Sequence, residues 1–183
     1  RSRVLAELLP PLMPDGRSIL WEACGKKFTG LDYKDADRLS RRNKEFIKEL
    51  FPSSDIYATL LPTRAQKLIG EVGEETRGVQ RMLERIGFKY VERIDPFDGG
   101  PHYEAQVSDI SLIRQFRSAS VGEDDFEEEA DEMLVGREEA SGKGRFKAVR
   151  CAVRFDDRRV YLPKRAKAAL EVDAGDRVGV IPF

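Results

Sequence analysis

The chain reads as an α/β (α+β) protein, a mixed sheet with flanking helices followed by a small β-rich C-terminal module that resembles a barrel. Three observations predict this. Within Thr76 to Ile86, the residues Val79, Met82, Leu83 and Ile86 recur at i, i+3, i+4 and i+7, the period of an amphipathic helix. Gly87 ends that run, and a strand-like segment (Phe88, Tyr90, Val91, Ile94) meets an Asp-Pro-Phe-Asp-Gly-Gly-Pro corner before a second alternating segment, Tyr103, Ala105 and Val107. Finally, Gly122 to Glu139 holds ten acidic residues against one basic, whereas Lys143 to Phe183 holds eleven Lys/Arg against five Asp/Glu. Like-charge repulsion predicts a linker or exposed excursion over 118–143, separating a domain at 1–117 from a basic module at 144–183.

The elements follow in order. Val4 to Leu8 reads as a strand. Ser18 is a plausible N-cap for a helix carrying Ile19, Leu20 and Ala23. Lys34 to Arg42 and Asn43 to Phe51 read as helical, with Phe46, Ile47 and Leu50 on one face, and Pro52 ends them. The apolar run Ile56 to Leu61, bounded by Pro62, predicts a buried strand, and Thr63 to Ile69 a short helix. In the basic block, Phe146, Val149, Cys151, Val153 and Phe155 predict a strand, Asp156-Asp157 a turn, and Arg159 to Leu162 a second strand. Pro163 opens a helix to Leu170, and Asp176 to Ile181 forms a third strand.

Composition excludes several classes. The net charge of −1 over 183 residues gives no global pull toward nucleic acid or membrane. Cys24 and Cys151 lie far apart and the chain has one histidine, so no metal site is expected, and reduced thiols fit a cytoplasmic protein. No apolar run approaches the roughly 20 residues that span a bilayer, and no signal peptide is recognised.

The corner is the sharpest local feature. Gly99 and Gly100 permit backbone angles closed to other residues, and Pro96 and Pro101 stiffen its flanks. Such a corner can hold Asp95 and Asp98 toward one site, where two placed carboxylates suit a cationic partner; as a plain hairpin turn it would leave both solvated.

Wider context turns that corner into a functional expectation. Trp21-Glu22, Gly25, Phe28, Asp32, Ala36-Asp37, Leu39-Ser40, Asn43-Lys44, Phe46-Ile47 and Glu49-Leu50 form an ordered set. It continues through Pro52, Ile56-Tyr57, Ala65-Gln66, Ile69-Gly70, Val72, Thr76, Leu83-Glu84, Gly87 to Tyr90 and Asp95 to Pro101. This stretch resembles the arginine/ornithine N-succinyltransferases, and Ala174 to Val178 resembles that family's tail. The resemblance implies transfer of a succinyl group from succinyl-CoA, as co-substrate, to the α-amino group of arginine or ornithine. The helix–Gly-Phe–strand arrangement also resembles the closing segment of GNAT acyltransferases, which makes the expected sheet GNAT-like.

Two departures stand out. The family's proposed proton donor is a histidine within Pro-x-His-x-Ile-Tyr, and here Ser54 takes its place between Pro52 and Tyr57. A serine hydroxyl does not shuttle protons near neutral pH as imidazole does, which leaves His102, directly after the corner, as the other candidate. The glycine-containing loop that grips the CoA pyrophosphate lies upstream of the matched region in that family. The sequence is therefore expected to be the C-terminal part of a longer protein, or to work with a companion subunit, and its CoA-contacting residues stay unassigned. Glu49, Asp95 and Asp98 are the candidates for holding the cationic amino acid. The alternatives are a non-catalytic member that binds an amino acid or a partner, and a DNA reader. The second arises because Val160 to Val178 also resembles AbrB-type swapped hairpins, with Arg158, Arg159, Lys164, Arg165 and Lys167 as phosphate contacts.

Overall fold

The computed structural model describes residues 2–127, 130–138 and 146–182. It divides into two compact units, Arg1–Ile110 and Ser111–Phe183. The first boundary therefore falls earlier than the expected 117.

In the first unit a three-stranded antiparallel sheet has the order β1 (Arg3–Glu7), β3 (Pro101–Gln106), β2 (Lys89–Ile94). The predicted strands at both ends of the corner are present. On β3 the burial alternates strictly, with Pro101, Tyr103 and Ala105 inward, as a period of two requires. These side chains meet Leu8, Val72, Phe88 and Ile110, and Leu83 and Ile86 from the predicted amphipathic helix pack against them. That helix, α5 (Arg77–Arg85), buries only part of its stripe: Val79 and Met82 stay exposed.

A second cluster gathers the helices before α5. A π-helical turn (Trp21–Gly25) runs into α1 (Lys26–Thr29), followed by α2 (Tyr33–Ser40) and α3 (Glu45–Leu50). Trp21 is fully buried among Tyr33, Ala36 and Phe97, with Phe46, Ile47 and Phe51 against them. Its ring centroid lies 4.3 Å from that of Phe97, and its indole N–H donates to the Leu31 carbonyl at 2.9 Å. Aromatic burial of this kind fixes orientation as well as removing area from water.

The expected strand over Ile56 to Leu61 does not form. Ala58–Leu60 is a 3-10 turn, and Ile56, Tyr57 and Leu60 are exposed. An apolar run bounded by prolines does not by itself make a strand, which also has to pair with a sheet edge, and this run pairs with neither open edge of the sheet. β1 and β2 form the sheet edges, and their pairing partner is β3 alone among the described residues. The short helix that follows, α4 (Thr63–Gln66), is present but ends earlier than predicted.

In the second unit α6 (Ser111–Gln115) precedes a six-stranded sheet. Its strands are β4 (Arg117–Val121), β5 (Glu132–Glu138), β6 (Phe146–Ala152), β7 (Arg154–Asp156), β8 (Arg159–Tyr161) and β9 (Arg177–Pro182), in the order β6-β5-β9-β4-β8-β7. The expected barrel is not found: among the described residues no pairing closes β6 onto β7. The expected linker over 118–143 is also corrected. β4 covers most of its start and β5 pairs with both β6 and β9, so an acidic composition did not prevent sheet formation. Val135 is fully buried, and Arg150 of β6 pairs with Glu132 of β5 at 2.5 Å, which offsets one of its acidic charges. Residues 139–143 lie outside the described residues.

The helix α7 (Lys164–Leu170) starts after Pro163 as predicted, and Leu162 and Leu170 are fully buried. Its Lys167 ammonium donates to the carbonyls of Gly122, Glu123 and Asp124 at 3.1, 3.0 and 2.9 Å and pairs with Asp125 at 3.0 Å. One of the five cations considered for phosphate contact is thus taken up inside the unit.

Removing the ring that stacks on Trp21 tests the second cluster of the first unit. Phe97→Ala is expected to cost about 3 kcal/mol in urea unfolding, the size seen for aromatic truncation in cores. Trp21 is the chain's single tryptophan, so its fluorescence follows this unit alone.

Candidate functional site

The corner is built by local hydrogen bonding. Within β2 the register slips between Tyr90 and Ile94, where Glu92 takes φ of 54°, and this bulge delivers Ile94 opposite Pro101. The Asp95 N–H then donates to the Gly100 carbonyl at 2.8 Å, and the Gly99 N–H to the Asp95 carbonyl at 2.8 Å. Each aspartate caps its own turn. Asp95 Oδ1 accepts from the Phe97 N–H at 2.8 Å, and Asp98 Oδ1 from the Gly100 N–H at 2.8 Å. The two glycines are required for different reasons. Gly99 has φ of 91°, and a Cβ on Gly100 would sit 2.5 Å from the Leu8 carbonyl oxygen.

Three further elements converge on the corner. Ser18, 1% exposed, donates its hydroxyl to the Asp98 carbonyl at 3.2 Å and accepts from the Trp21 N–H at 3.1 Å, so the predicted cap also ties the helical segment to the corner. The Tyr33 hydroxyl, from the start of α2, donates to Asp98 Oδ2 at 3.4 Å. From β1, Glu7 lies opposite His102 in the strand register, with Glu7 Oε2 at 3.9 Å from His102 Nε2. Its carboxyl also stands close enough to those of Asp95 and Asp98 to feel their charge.

Together these groups line a cleft of about 450 Å³. Its acidic side is Glu7, Asp37, Asp95 and Asp98, its apolar walls are Leu9, Ile47 and Phe97, and Lys44 and Lys48 also line it. Electrostatics inside it follow from crowding of like charges. Burial, then the charges of Asp95 and Asp98, push the Glu7 carboxyl up to about 7, against the pull of Lys44. Burial also raises Asp98 above the usual carboxylate range, although the Gly100 N–H and the Tyr33 hydroxyl oppose the rise. The Tyr33 hydroxyl is raised by burial and by the charge of Asp98, so it stays a donor. Such a cleft attracts a cation, which relieves the repulsion that adds to burial in raising Glu7.

The five residues singled out from sequence divide into two groups. Asp95 and Asp98 line the cleft, and His102 adjoins it through Glu7. Glu49 is exposed on α3, whose Ile47 and Lys48 line the cleft instead, and Ser54 is exposed in the turn after it. Sequence reading missed Glu7 and Tyr33. The available signal for Glu7 was a charged residue inside the otherwise apolar run Val4 to Leu8, and its register opposite His102 needed the fold.

For the described residues no group of three or more His, Cys, Asp and Glu side chains is arranged to hold a metal ion. No described helix is long and apolar enough to cross a membrane.

The raised Glu7 carboxyl has a consequence for stability. Its folded value lies above the ordinary 4.5, so the folded state binds the extra proton between 4.5 and about 7. Stability from this group is therefore fully present below 4.5 and is lost as the pH rises through about 7. Glu7→Gln is expected to flatten that part of the profile and to raise the thermal midpoint at pH 8, measured by scanning calorimetry at several pH values.

Comparison with known proteins places this geometry in a family. Residues 1–112 match the family described as arginine N-succinyltransferase beta subunit. The chain is 34% identical over 181 residues to arginine N-succinyltransferase of Citrobacter koseri, covering 98% of this chain and 52% of that protein. It is 32% identical over 181 residues to the protein of the same name from Photorhabdus laumondii, covering 97% of this chain and 52% of the relative. Among solved structures, subunit AI of arginine/ornithine succinyltransferase from Pseudomonas aeruginosa superposes with a TM-score of 0.74 at 30% identity, over all of this chain and 51% of that one. The chain spans about half the length of the curated relatives it matches. With the family's region covering the corner, the cleft and every element that builds them, the chain belongs to the arginine N-succinyltransferase family.

Proposed function

We propose that this chain supplies the amino-acid-binding part of an arginine N-succinyltransferase. The whole enzyme, in this reading a cytoplasmic acyltransferase of arginine catabolism, moves a succinyl group from succinyl-CoA to the α-amino group of arginine or ornithine. The observation that carries the proposal is the acidic cleft on the Asp95–Pro101 corner, inside the region matched by the family. Arginine and ornithine each bring two cations, the α-ammonium and the side-chain group, to a cleft whose carboxylates exceed its lysines. A planar guanidinium is well met by carboxylates held at fixed positions, and Asp98 is held by a backbone N–H and a tyrosine hydroxyl.

The chemistry then divides. Succinyl-CoA brings an activated acyl group, and the protein supplies position and proton handling. Of the helix N-termini in the first unit, that of α5 follows Glu74 and Glu75, whose charges oppose a pyrophosphate, so it does not fit the CoA phosphates. Grip on the CoA phosphates is therefore assigned to the other half of the enzyme or to a companion subunit, in keeping with relatives of about twice this length. His102 and Ser54 remain the proton-handling candidates carried by the resemblance. Of these, His102 is the one beside the cleft.

Titration calorimetry tests the binding reading. Arginine is expected to bind this chain, and Asp98→Asn is expected to weaken it by roughly tenfold or more, the loss of one charge-assisted contact. Asparagine keeps the acceptor for the Gly100 N–H, so the turn survives the change. Glu49→Gln is expected to leave binding unchanged, and succinyl-CoA to bind this chain weakly. Arginine binding that is indifferent to Asp98→Asn but lost in Glu49→Gln overturns the assignment.

A further inference from the structure

This inference rests on the amino-acid-binding reading above. We propose that Glu7 is the group that takes the proton from the α-ammonium of the bound amino acid. The three carboxylates nearest one another in the cleft are not equivalent. Asp98 is 8% exposed, with one oxygen held by the Gly100 N–H and the other by the Tyr33 hydroxyl. Asp95 has an oxygen held by the Phe97 N–H. Both are tied into the turn as acceptors, which fixes them as binding groups. The Glu7 carboxyl, by contrast, stands among the charges of Asp95, Asp98 and Lys44, with the His102 imidazole 3.9 Å away. It stands at the end of β1, 48% exposed, where protons can exchange with solvent.

The groups that face it settle the direction of proton flow. From the corner come Asp95 and Asp98, from the turn between α2 and α3 Lys44, and from β3 His102, while Tyr33 and Asp37 of α2 and Lys48 of α3 line the same cleft. A half-buried carboxyl beside other carboxylates holds its proton more tightly than a free one. When a doubly cationic amino acid enters, its charges favour the ionised form of Glu7, which then meets the substrate as a carboxylate. One N–H bond of the α-ammonium then breaks and an O–H bond forms on Glu7. The electron pair stays on nitrogen, and the neutral amine is ready to attack an acyl thioester. Glu7 afterwards returns its proton to water, or to His102, 3.9 Å away across the strand pair. An acceptor whose proton affinity lies near the working pH suits this step, and Glu7 is pushed up to about 7.

The test uses the full-length enzyme that contains this chain, with arginine and succinyl-CoA, and follows kcat and kcat/KM against pH. Glu7→Gln is expected to lower kcat at pH 7 by about a hundredfold, the usual contribution of a general base. Arginine affinity by calorimetry should change by no more than a few-fold, and the deficit should narrow as the pH rises until free amine dominates in solution. Glu7→Asp should recover part of the rate and keep an acid limb in the profile. A structural role for Glu7 would not give a deficit that closes with pH. Wild-type rate and an unchanged acid limb in Glu7→Gln overturn the proposal while leaving the binding reading intact. Absence of both arginine binding and succinyl transfer in the wild-type enzyme overturns the two together.

Discussion

A carboxylate removed from water must be met by donors or lose its charge, and the first unit is arranged around meeting that requirement for Asp98. The Gly100 N–H, the Tyr33 hydroxyl and the tie from Ser18 to the Asp98 carbonyl come from three separate stretches of chain. Each stretch needs its own anchor. Tyr33 is placed by the aromatic cluster around Trp21, Ser18 by the helical segment it caps, and Gly100 by its lack of a Cβ against the Leu8 carbonyl. Disturbing any of these anchors therefore reaches the carboxylate without touching it.

The same arrangement explains why the cleft mixes fixed and adjustable charge. The turn engages one oxygen of Asp95 and one of Asp98 in backbone contacts, which holds both carboxylates in place. The sheet, by contrast, brings Glu7 to them from a strand about ninety residues away in sequence, through the antiparallel register that sets it beside His102. Rigidity comes from local geometry, and adjustability from a long-range contact. A site assembled in this way has its charge repulsion relieved by a cation.

Much of this was legible in the sequence because the signals were local. Gly-Gly-Pro marked the corner, a period of 3.6 marked α5, and Pro163 marked the start of α7. What stayed hidden depended on partners distant in sequence. Ile56 to Leu61 has the composition of a buried strand, yet exposes Tyr57 and Leu60. The acidic stretch after Gly122 carries the repulsion of a linker, yet contributes β5, whose backbone pairs with β6 and β9, whose Val135 is buried and whose Glu132 pairs with Arg150. Glu7 has no motif around it, and only the register gives it neighbours.

The Lys167 ammonium in the second unit carries a consequence for variation. Three of its four contacts are backbone carbonyls, of Gly122, Glu123 and Asp124, with Asp125 the one side chain involved. A carbonyl is supplied by whatever residue occupies the position. The acidic side chains at 123 and 124 are therefore free to be exchanged without loosening that grip, whereas the single lysine that reaches all three carbonyls is not. Tolerance and intolerance to change sit within one contact, on opposite sides of it.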